Sequence, residues 1–280
     1  MAKVHPKLSW NPIRYIHSML DEGTPTLEEW FAKASEFDLE HVELYNPLLD
    51  SREPGYLEGV RSQLESFGLT LSMLTCAPDF THPDEDERHR EFDDMLENLE
   101  AARILGAPNI RTTAGCHHDE VARADGVVWC SDSLKRLADI AEPYGINIAV
   151  ENHYRDRRWT NNDFVFHADV FLEVWEQLKG SRVRVNFDMS NQLMVKEDPL
   201  TVLGAVKHHL VHIHANDRLY GSYQHCVVGE GKVDFEPIFR TLSEVNYTSF
   251  ISLEDGTGEG DEGTRKSLAF LRKKIDEYYP

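Results

Sequence analysis

The sequence predicts an α/β protein, a (β/α)8 TIM barrel that forms a single domain over residues 1–280. Eight short apolar runs alternate with longer helical patterns, and no Pro/Gly/Ser-rich stretch divides the chain. The length of 280 residues also suits this fold, which typically needs about 250 residues. The main alternative is a doubly wound open sheet. That fold usually carries a glycine-rich turn after its first strand, and "WNPIRY" has no glycine, so the barrel is preferred.

The expected strands and helices follow one another along the whole chain. The strands are expected at residues 7–10, 41–45, 69–74, 109–113, 147–151, 183–188, 210–215 and 250–254. The clearest helical patterns cover residues 26–37, 91–105, 131–145, 168–180 and 234–245. In the helix at 131–145, Ser131 or Asp132 is expected as the N-cap and Gly145 as the C-cap. Their side chains can satisfy the first backbone N–H groups, and glycine adopts the left-handed conformation that ends many helices.

Composition excludes several classes of partner. The chain has 49 acidic and 29 basic residues and a formal net charge of −20, so it would be repelled by nucleic acid. No apolar run is long enough to span a membrane. The four cysteines show no paired spacing, which favours reduced thiols. We therefore expect a soluble, cytoplasmic protein with no nucleic-acid or membrane partner, and a homo-oligomer remains open.

The last four expected strands share an unusual pattern. Each has one apolar face, suited to packing against helices, and one mixed face that ends at the carboxyl tip in a polar group. These terminal groups are Glu151, Asp188, His214 and Glu254. They are each about one βα unit apart, so they belong to four successive strands. Active sites of TIM barrels are built at the carboxyl ends of the strands, and the four side chains should converge there.

Three carboxylates and one imidazole in one place would repel each other unless a cation lies between them. A single strand-end acid is more often a helix cap or a loop ion pair, but four on successive strands favour a metal site. Oxygen-rich ligation with one histidine suits a divalent ion. We expect one such ion, with Mn²⁺ favoured and Mg²⁺, Co²⁺ or Zn²⁺ as alternatives.

Five segments in the second half of the chain carry a resemblance to a known family that covers nearly the whole chain. They are "AVENH" (149–153), "VNFDMSN" (185–191), "VHIHANDR" (211–218), "VGEGKVDFEPIFRTL" (228–242) and "FISLEDG" (250–256). Their order and spacing resemble the xylose isomerase-like superfamily of sugar isomerases and epimerases. This superfamily includes D-tagatose 3-epimerase, inosose dehydratase and the apurinic endonucleases. The extra zinc ligands of the endonucleases are not evident here.

The resemblance implies a metal held by Glu151, Asp188, His214 and Glu254, with Glu151 and Glu254 also serving as proton-transfer groups. A proton next to a ketone can be removed when a cation stabilises the enediolate oxygen. The expected function is therefore a metal-dependent sugar isomerase or epimerase with a small-molecule sugar or keto-sugar substrate. The alternative is a lyase or dehydratase that performs β-elimination on a keto-sugar or inosose, including 3-keto-glycosides. A non-catalytic sugar-binding barrel is the lesser alternative.

Five further residues are candidates for substrate binding. The epimerases carry a histidine three residues after the aspartate ligand, where this chain has Asn191, whereas their arginine after the histidine ligand is retained in kind as Arg218. The departure at Asn191 favours the elimination alternative. His153 lies two residues beyond Glu151 and could equally serve loop structure. Glu43 and Arg111 lie on interior faces of their strands, and for Arg111 a structural ion pair with nearby acids is the competing role.

Two loops are also of interest. The connection at 215–234 is long and contains three glycines, which is typical of a lid or a binding loop, with an oligomer contact as the alternative. The segment "RDRRW" (155–159) is the most compact basic cluster. It is expected either to offset nearby acids or to hold an anionic group. Of the adjacent His117 and His118, at most one is expected to reach the site.

Overall fold

A computed structural model describes residues 4–280 of the chain. In it, eight parallel strands pair side by side and nearly close into a barrel. The strands lie in the order β1, β8, β7, β6, β5, β4, β3, β2, and each is hydrogen-bonded to the next. β1 also lies against β2, where the sheet nearly closes. The bounds are β1 Lys7–Asn11, β2 His41–Tyr45, β3 Thr70–Thr75, β4 Asn109–Thr112, β5 Asn147–Glu151, β6 Arg184–Asp188, β7 Leu210–Ala215 and β8 Phe250–Glu254. The predicted barrel is confirmed, and the open-sheet alternative is wrong.

Helices surround the barrel, and at least one follows every strand. Their bounds are α1 Ile16–Asp21, α2 Leu27–Glu36, α3 Pro54–Ser66, α4 Glu85–Leu105, α5 Arg123–Ala141, α6 Ala168–Leu178, α7 Pro199–Val206, α8 Phe235–Glu244 and α9 Gly260–Tyr278. Short 3₁₀ turns lie at Asn46–Leu48, Glu142–Tyr144 and Asn191–Val195. The predicted strand limits agree with the observed ones to within one residue. Three of the five predicted helices, those at 26–37, 168–180 and 234–245, agree to within two.

Two predicted helix starts are wrong. Helix α5 begins eight residues before the predicted 131–145, with Ala122 at its N-cap, so Ser131 and Asp132 lie inside the helix. Buried Val127 and Cys130 extend the apolar face of the helix toward its N-terminus. Ser131 and Asp132 are residue types that often cap helices, but here they do not cap one. Pro143 ends the α-helix because it lacks an N–H group, and Gly145 closes the following 3₁₀ turn at φ 67°.

Helix α4 starts six residues before the predicted 91–105. Asp84 is its N-cap, and its carboxylate accepts a hydrogen bond from the backbone N–H of Asp86 at 2.8 Å. Three acidic residues follow in the first turn, where they interact favourably with the positive end of the helix dipole. This first part of the helix is charged throughout, so apolar periodicity could not reveal it.

The two faces of each strand have different surroundings, as the alternation of residue types predicts. Ile148, Val150, Phe187, Ile213 and Leu253 point away from the axis and pack in the main apolar core between strands and helices. Burying each such side chain contributes about 1.5–3 kcal/mol. The opposite face fills the barrel with polar groups, many of which hydrogen-bond one another, whereas Ser252 Oγ and Asn11 Oδ1 have no partner among residues 4–280. The metal-capable side chains therefore stand at the end of a polar interior.

Among residues 4–280, none of the helices has the combination of length and apolar character that a membrane crossing requires.

Two helical glycines give a test of this packing. A Cβ atom at Gly126 in α5 would lie 2.6 Å from the buried ring of Phe164, whereas one at Gly204 in α7 would meet nothing within 4 Å. We expect Gly126→Ala to destabilise the protein by about 1–3 kcal/mol through overpacking. Gly204→Ala should stabilise it by about 0.5–1 kcal/mol, because alanine loses less backbone entropy. The free energy of unfolding from denaturant titration measures both, and equal stabilisation by the two variants would contradict the packing described.

Candidate metal centre and catalytic site

The four predicted metal-capable residues meet at the carboxyl ends of β5 to β8. His214 Nδ1 lies 3.0 Å from Glu151 Oε1 and 3.2 Å from Glu254 Oε1. One ligand atom each from Glu151, Asp188 and His214 lie within 4.8 Å of one another, and all three residues are buried. The Glu254 side chain is 13% exposed and faces the cavity above them. The structure thus brings the four side chains into one cluster.

Asp188 and Glu254 are oriented by hydrogen-bond donors of the surrounding backbone and side chains. Asp188 Oδ1 accepts from the backbone N–H groups of Ser190 at 2.8 Å and Asn191 at 2.6 Å. The Asn216 amide donates to Asp188 Oδ2 at 2.6 Å and to Glu254 Oε2 at 2.7 Å. Asn216 therefore connects the ends of β6 and β8. The sequence analysis missed it, although it lies two residues beyond His214 and so continues the same interior face.

Glu151 is paired with a buried cation. The Arg111 guanidinium, from β4, donates through Nε to Glu151 Oε2 and through Nη1 to the carbonyl oxygen of Cys76 at 2.9 Å. Burial alone would raise the pKa of Glu151, but the charges of Arg111 and His214 hold it below its usual range. Arg111 also lines the cavity. Its position therefore combines the two roles that the sequence left open, an ion pair and a surface available to substrate.

The other two carboxylates have too little positive charge near them. Burial, with the nearby charges of Asp188 and Glu151 and against that of His214, raises the pKa of Glu254 to about 7. Burial and the charge of Glu151 also raise the pKa of Asp188 above its usual range. A divalent cation among these groups would remove this repulsion. Three carboxylates and one imidazole are a suitable donor set for Mn²⁺, Mg²⁺, Co²⁺ or Zn²⁺, so the residues present fit such an ion.

Glu43 lies directly beneath this cluster and contacts the other nitrogen of the histidine. Its Oε1 is 2.9 Å from His214 Nε2, and it accepts further hydrogen bonds from the Asn11 amide at 2.7 Å and from the hydroxyl of Thr75. Burial opposes its ionisation, but the charge of His214 lowers the pKa of Glu43 to about 2. In the neutral imidazole, an ionised carboxylate at Nε2 favours the proton on that nitrogen, which leaves Nδ1 as the nitrogen that can bind a metal.

Glu43 does not line the cavity, in contrast to the expectation that it contacts substrate. It stands two residues before the end of β2, so its side chain lies one pleat below the rim and is fully buried. Tyr45, at the end of the strand, takes the place on the cavity wall. His212, one pleat below His214, is likewise an interior residue. Burial lowers its pKa to about 3, so the imidazole is neutral.

A cavity of about 320 Å³ opens above the cluster. His153, Asn191 and Arg218 line it, as do Arg111 and the carboxylates of Glu151 and Glu254. The structure therefore places four of the five candidate substrate-binding residues on the cavity surface, and Glu43 is the exception.

His153 is backed by a buried carboxylate. Its Nδ1 lies 3.0 Å from Asp163 Oδ2, and Asp163 is completely buried. Asp163 also accepts the backbone N–H of Val165 at 2.9 Å. This hydrogen bond orients the imidazole ring of His153, and because it uses Nδ1, the other nitrogen, Nε2, is not engaged by Asp163. Asp163 was not found from the sequence, because it belongs to the loop after β5 that returns to the site.

Arg218 and Asn191 form a second polar wall. Arg218 donates to Ser190 Oγ at 2.7 Å and to Asn191 Oδ1 at 3.3 Å, and it contacts His225 Nε2 at 2.7 Å. Among residues 4–280, no carboxylate lies within 4 Å of its guanidinium. The Asn191 amide in turn donates to the carbonyl oxygen of Asn152 at 3.2 Å. Arg218 is therefore a buried cation that is held only by neutral groups.

The remaining histidine candidates lie elsewhere. His118 Nε2 is 2.8 Å from Asp79 Oδ2 in the loops after β3 and β4, and His117 contacts Asp119 at 3.4 Å. Neither histidine lines the cavity above the metal cluster. Both side chains therefore lie outside the candidate site, and His118 forms a separate metal-capable group with Asp79 and Cys116.

Comparison with known proteins identifies the family to which the chain is similar. A model of the family described as xylose isomerase-like TIM barrel matches residues 31–274. The inosose dehydratase of Clostridium beijerinckii is 26% identical over 143 residues, which cover 44% of this chain and 45% of that protein. The matches span about half the length of the curated relatives.

Two solved structures share the fold over nearly the full length. A D-tagatose 3-epimerase-like protein has a TM-score of 0.78 at 18% identity and covers 97% of this chain and 98% of its own. The IolI protein with a bound zinc atom has a TM-score of 0.75 at 18% identity, and the coverage is 98% of this chain and 99% of its own. At these identities the likeness shows the fold alone.

The metal centre predicts a defined stoichiometry. We expect the wild-type protein to bind one Mn²⁺ per chain and Asp188→Asn to lose most of this binding, because the substitution removes a charge and a ligand oxygen. Asp163→Asn is the matched control, since it changes another buried aspartate that contacts a histidine but belongs to none of the metal-capable groups. Equilibrium dialysis with elemental analysis measures the bound metal. Equal retention in both variants would contradict the ligand set.

The contact beneath the histidine predicts a second effect on metal binding. Glu43→Gln should weaken Mn²⁺ affinity by about 10–100-fold, because a neutral amide no longer favours the Nε2–H tautomer of His214. Glu40→Gln, an exposed change three residues away, should have no effect. Titration of Mn²⁺ followed by electron paramagnetic resonance gives both dissociation constants, with circular dichroism to verify folding. An unchanged constant for a folded Glu43→Gln would show that the carboxylate does not position the ligand.

Proposed function

This chain belongs to the xylose isomerase-like TIM-barrel family, and we propose that it is a divalent-metal-dependent sugar isomerase or epimerase. The observation that carries the proposal is that two glutamates face the cavity beside the same histidine: Glu151 forms a metal-capable group with Asp188 and His214, and Glu254 lies 3.2 Å from His214 Nδ1. They come from β5 and β8, with two strands between them, so they approach a bound sugar from different directions. Mn²⁺ is the proposed ion, and a small keto-sugar is the proposed substrate.

The two glutamates supply the proton transfers. One carboxylate removes the proton from the carbon next to the ketone, and the electron pair of that C–H bond moves toward the carbonyl oxygen. A bound divalent cation supplies Lewis acidity that lowers the energy of the developing negative charge. The second carboxylate returns a proton to the opposite face, which inverts the carbon. Return to the neighbouring carbon instead gives an isomer.

Residues on the cavity wall orient the sugar. Arg218 has no carboxylate partner within 4 Å among residues 4–280, so its guanidinium can donate to substrate hydroxyl oxygens. Asn191 can donate or accept a hydrogen bond but carries no charge. Arg111 donates to Glu151 and fixes the direction from which this base approaches. Together these three groups favour one placement of the carbon that loses its proton.

A β-eliminating lyase is the second candidate, and the pair formed by His153 and Asp163 favours it. Elimination begins with the same proton removal, but a carbon–oxygen bond at the β position then breaks as a carbon–carbon double bond forms. The departing oxygen requires a proton. His153 lines the cavity, is oriented by a buried carboxylate and can supply it. One relative of this chain is named inosose dehydratase, and a dehydratase eliminates water from its substrate.

Solvent exchange tests the shared first step. Mn²⁺-loaded protein in D₂O should introduce deuterium next to the ketone of ketoses, inososes or 3-keto-glucosides. A chelator or Glu254→Gln should reduce the exchange by about 10²–10⁴-fold, because a positioned acid or base contributes that much. Mass spectrometry and NMR of the recovered sugar provide the measurement. Exchange that survives both the chelator and the substitution would contradict the proposal.

Substitution of His153 separates the two reactions. If the enzyme is a lyase, His153→Ala should retain deuterium exchange into the intact substrate while product formation falls by about 10²-fold or more. If it is an epimerase, exchange and product should change together. His117→Ala, which alters a histidine outside the cavity, is the control and should change neither rate. The two rates are followed in the same D₂O reaction.

A further inference from the structure

A second group of metal-capable side chains lies outside the cavity described above. It consists of Asp79, Cys116 and His118, from the loops that follow β3 and β4. One carboxylate oxygen, the thiol sulfur and one imidazole nitrogen lie within 4.8 Å of one another. Asp79 and Cys116 are buried, and the His118 side chain is 18% exposed. These three residues do not line the cavity above the first cluster, so the group is separate from it.

The Asp79 carboxylate is oriented by backbone donors, and one of its oxygens faces the histidine. Its Oδ1 accepts hydrogen bonds from the N–H groups of Cys116 at 2.9 Å and Thr81 at 3.3 Å. Its Oδ2 lies 2.8 Å from His118 Nε2. The ring of His82 stands edge-on to that of His118, at 5.2 Å between centroids, and restricts its rotation. The carboxylate and the imidazole are therefore held facing each other.

A glycine at position 115 allows the two loops to approach this closely. Gly115 has a φ of 144°, a conformation that residues with a side chain rarely adopt. A Cβ atom there would lie 2.8 Å from Asp79 Oδ1 and 2.6 Å from the backbone nitrogen of Thr81. The Thr81 hydroxyl donates to the carbonyl oxygen of Cys116 at 2.7 Å and so joins the loops a second time. The backbone of both loops is thus shaped around the group.

The ligand types indicate which ion this group would select. It offers one thiol, one imidazole and one carboxylate, whereas the first cluster offers three carboxylates and one imidazole. A thiolate is a soft ligand that favours Zn²⁺ over Mn²⁺ or Mg²⁺. Tetrahedral zinc, with bonds of about 2.0–2.3 Å, separates its ligand atoms by about 3.3–3.6 Å. The observed separations are compatible with that spacing, and the exposed edge of His118 lets water reach the fourth position.

A reactive cysteine is the alternative interpretation of this group. Burial and the charge of Asp79 raise the pKa of the Cys116 thiol to about 11, so it is protonated near neutral pH and a poor nucleophile. Its sulfur lies 3.7 Å from the carbonyl oxygen of His117, which is a weak contact. A cation beside the sulfur favours the thiolate, and the thiol proton passes to solvent as the zinc–sulfur bond forms. The surroundings of Cys116 therefore suit a metal ligand better than a nucleophile.

The loop that carries Cys116 supports the segment that orients His153. Cys116 pairs with Asp163 in an antiparallel bridge, and the backbone N–H of Phe164 donates to the carbonyl oxygen of Gly115 at 2.8 Å. Asp163 in turn contacts Nδ1 of His153 on the cavity wall at 3.0 Å. An ion bound by the second group would brace this segment from outside the cavity.

We propose that Asp79, Cys116 and His118 form a second metal site, which binds one Zn²⁺ and fixes the loops after β3 and β4 against residues 161–165. The ligands are the Asp79 carboxylate, the Cys116 thiolate and the His118 imidazole. The inference does not depend on the proposed function, because this site has its own ligands and its own preferred ion. Mn²⁺ remains the ion proposed for the first cluster.

Cobalt spectroscopy tests the site through its thiolate. Co²⁺ bound to a thiolate gives a sulfur-to-metal charge-transfer band in the near ultraviolet, and the first cluster contains no cysteine. In Asp188→Asn, which disables the first cluster, the band should grow until one Co²⁺ is bound per chain. Adding Cys116→Ser should abolish the band. Cys226→Ser, the same change at a half-buried cysteine outside the group, should preserve it.

Zinc affinity provides a second measurement through a partly exposed ligand. In the Asp188→Asn protein, His118→Asn should weaken Zn²⁺ binding by more than about 100-fold, because loss of a ligand exceeds the 10–100-fold effect of changing a group behind one. His117→Asn alters the neighbouring histidine, which is outside the group, and should leave the dissociation constant unchanged. Competition with a chromophoric chelator gives the constants, and circular dichroism verifies the folding of each variant.

Three results would overturn the site. They are a folded protein without the charge-transfer band at two equivalents of Co²⁺, a band that survives Cys116→Ser, and equal losses of Zn²⁺ affinity in His117→Asn and His118→Asn.

Hydrogen–deuterium exchange of the backbone tests the bracing of residues 161–165. In the Asp188→Asn protein, Zn²⁺ should slow exchange in peptides that cover this segment by at least 10-fold, because the Phe164 N–H is bonded to the loop that the ion fixes. The effect should vanish when His118→Asn is added and persist with His117→Asn. Equal exchange with and without Zn²⁺ would show that the ion does not support the segment and would overturn the proposal.

Discussion

The carboxylate contacts on both sides of His214 determine how the rest of the site is arranged. Glu43 contacts Nε2 from below, and Glu151 and Glu254 contact Nδ1 from the rim. So many acids around one buried imidazole are costly unless positive charge lies among them. Arg111 neutralises only Glu151. A divalent cation would offset the remaining excess negative charge, and the cluster could hold one.

Alternation along the strands explains what the sequence could predict. In a parallel barrel the carboxyl ends of successive strands meet at one rim, so Glu151, Asp188, His214 and Glu254 could be grouped without coordinates. Glu43 shows the limit of that reasoning. The sequence correctly predicted that the Glu43 side chain points into the barrel. How deep it lies depends on how far β2 extends beyond it, because residues one pleat below the rim do not reach the cavity wall. Contacts made by loops were harder to predict from the sequence. Asp163, for example, contacts His153 from a loop segment that has no periodic pattern.

Two arginines at the site have different partners, and the difference bears on their roles. Arg111 is committed to Glu151, so its charge is largely used within the protein. Arg218 is bonded to Ser190, Asn191 and His225, all neutral groups, so most of its charge is available to a ligand. Burial lowers the pKa of His225 to about 3, which keeps this partner uncharged beside the guanidinium. The arrangement favours a substrate that presents several oxygen acceptors to this wall.

The end of β7 connects the metal centre to the mouth of the cavity. Within five residues the chain places His214 in the ligand cluster, Asn216 between two carboxylates, Asp217 at the base of the hairpin and Arg218 on the cavity wall. Tyr223 follows at the tip of that hairpin. The metal-capable cluster and the mouth of the cavity are therefore joined by a short covalent path whose base is hydrogen-bonded. A longer or shorter hairpin would change the ligand length that fits while leaving the metal site intact, so this loop is the element in which substrate size can vary independently of the chemistry.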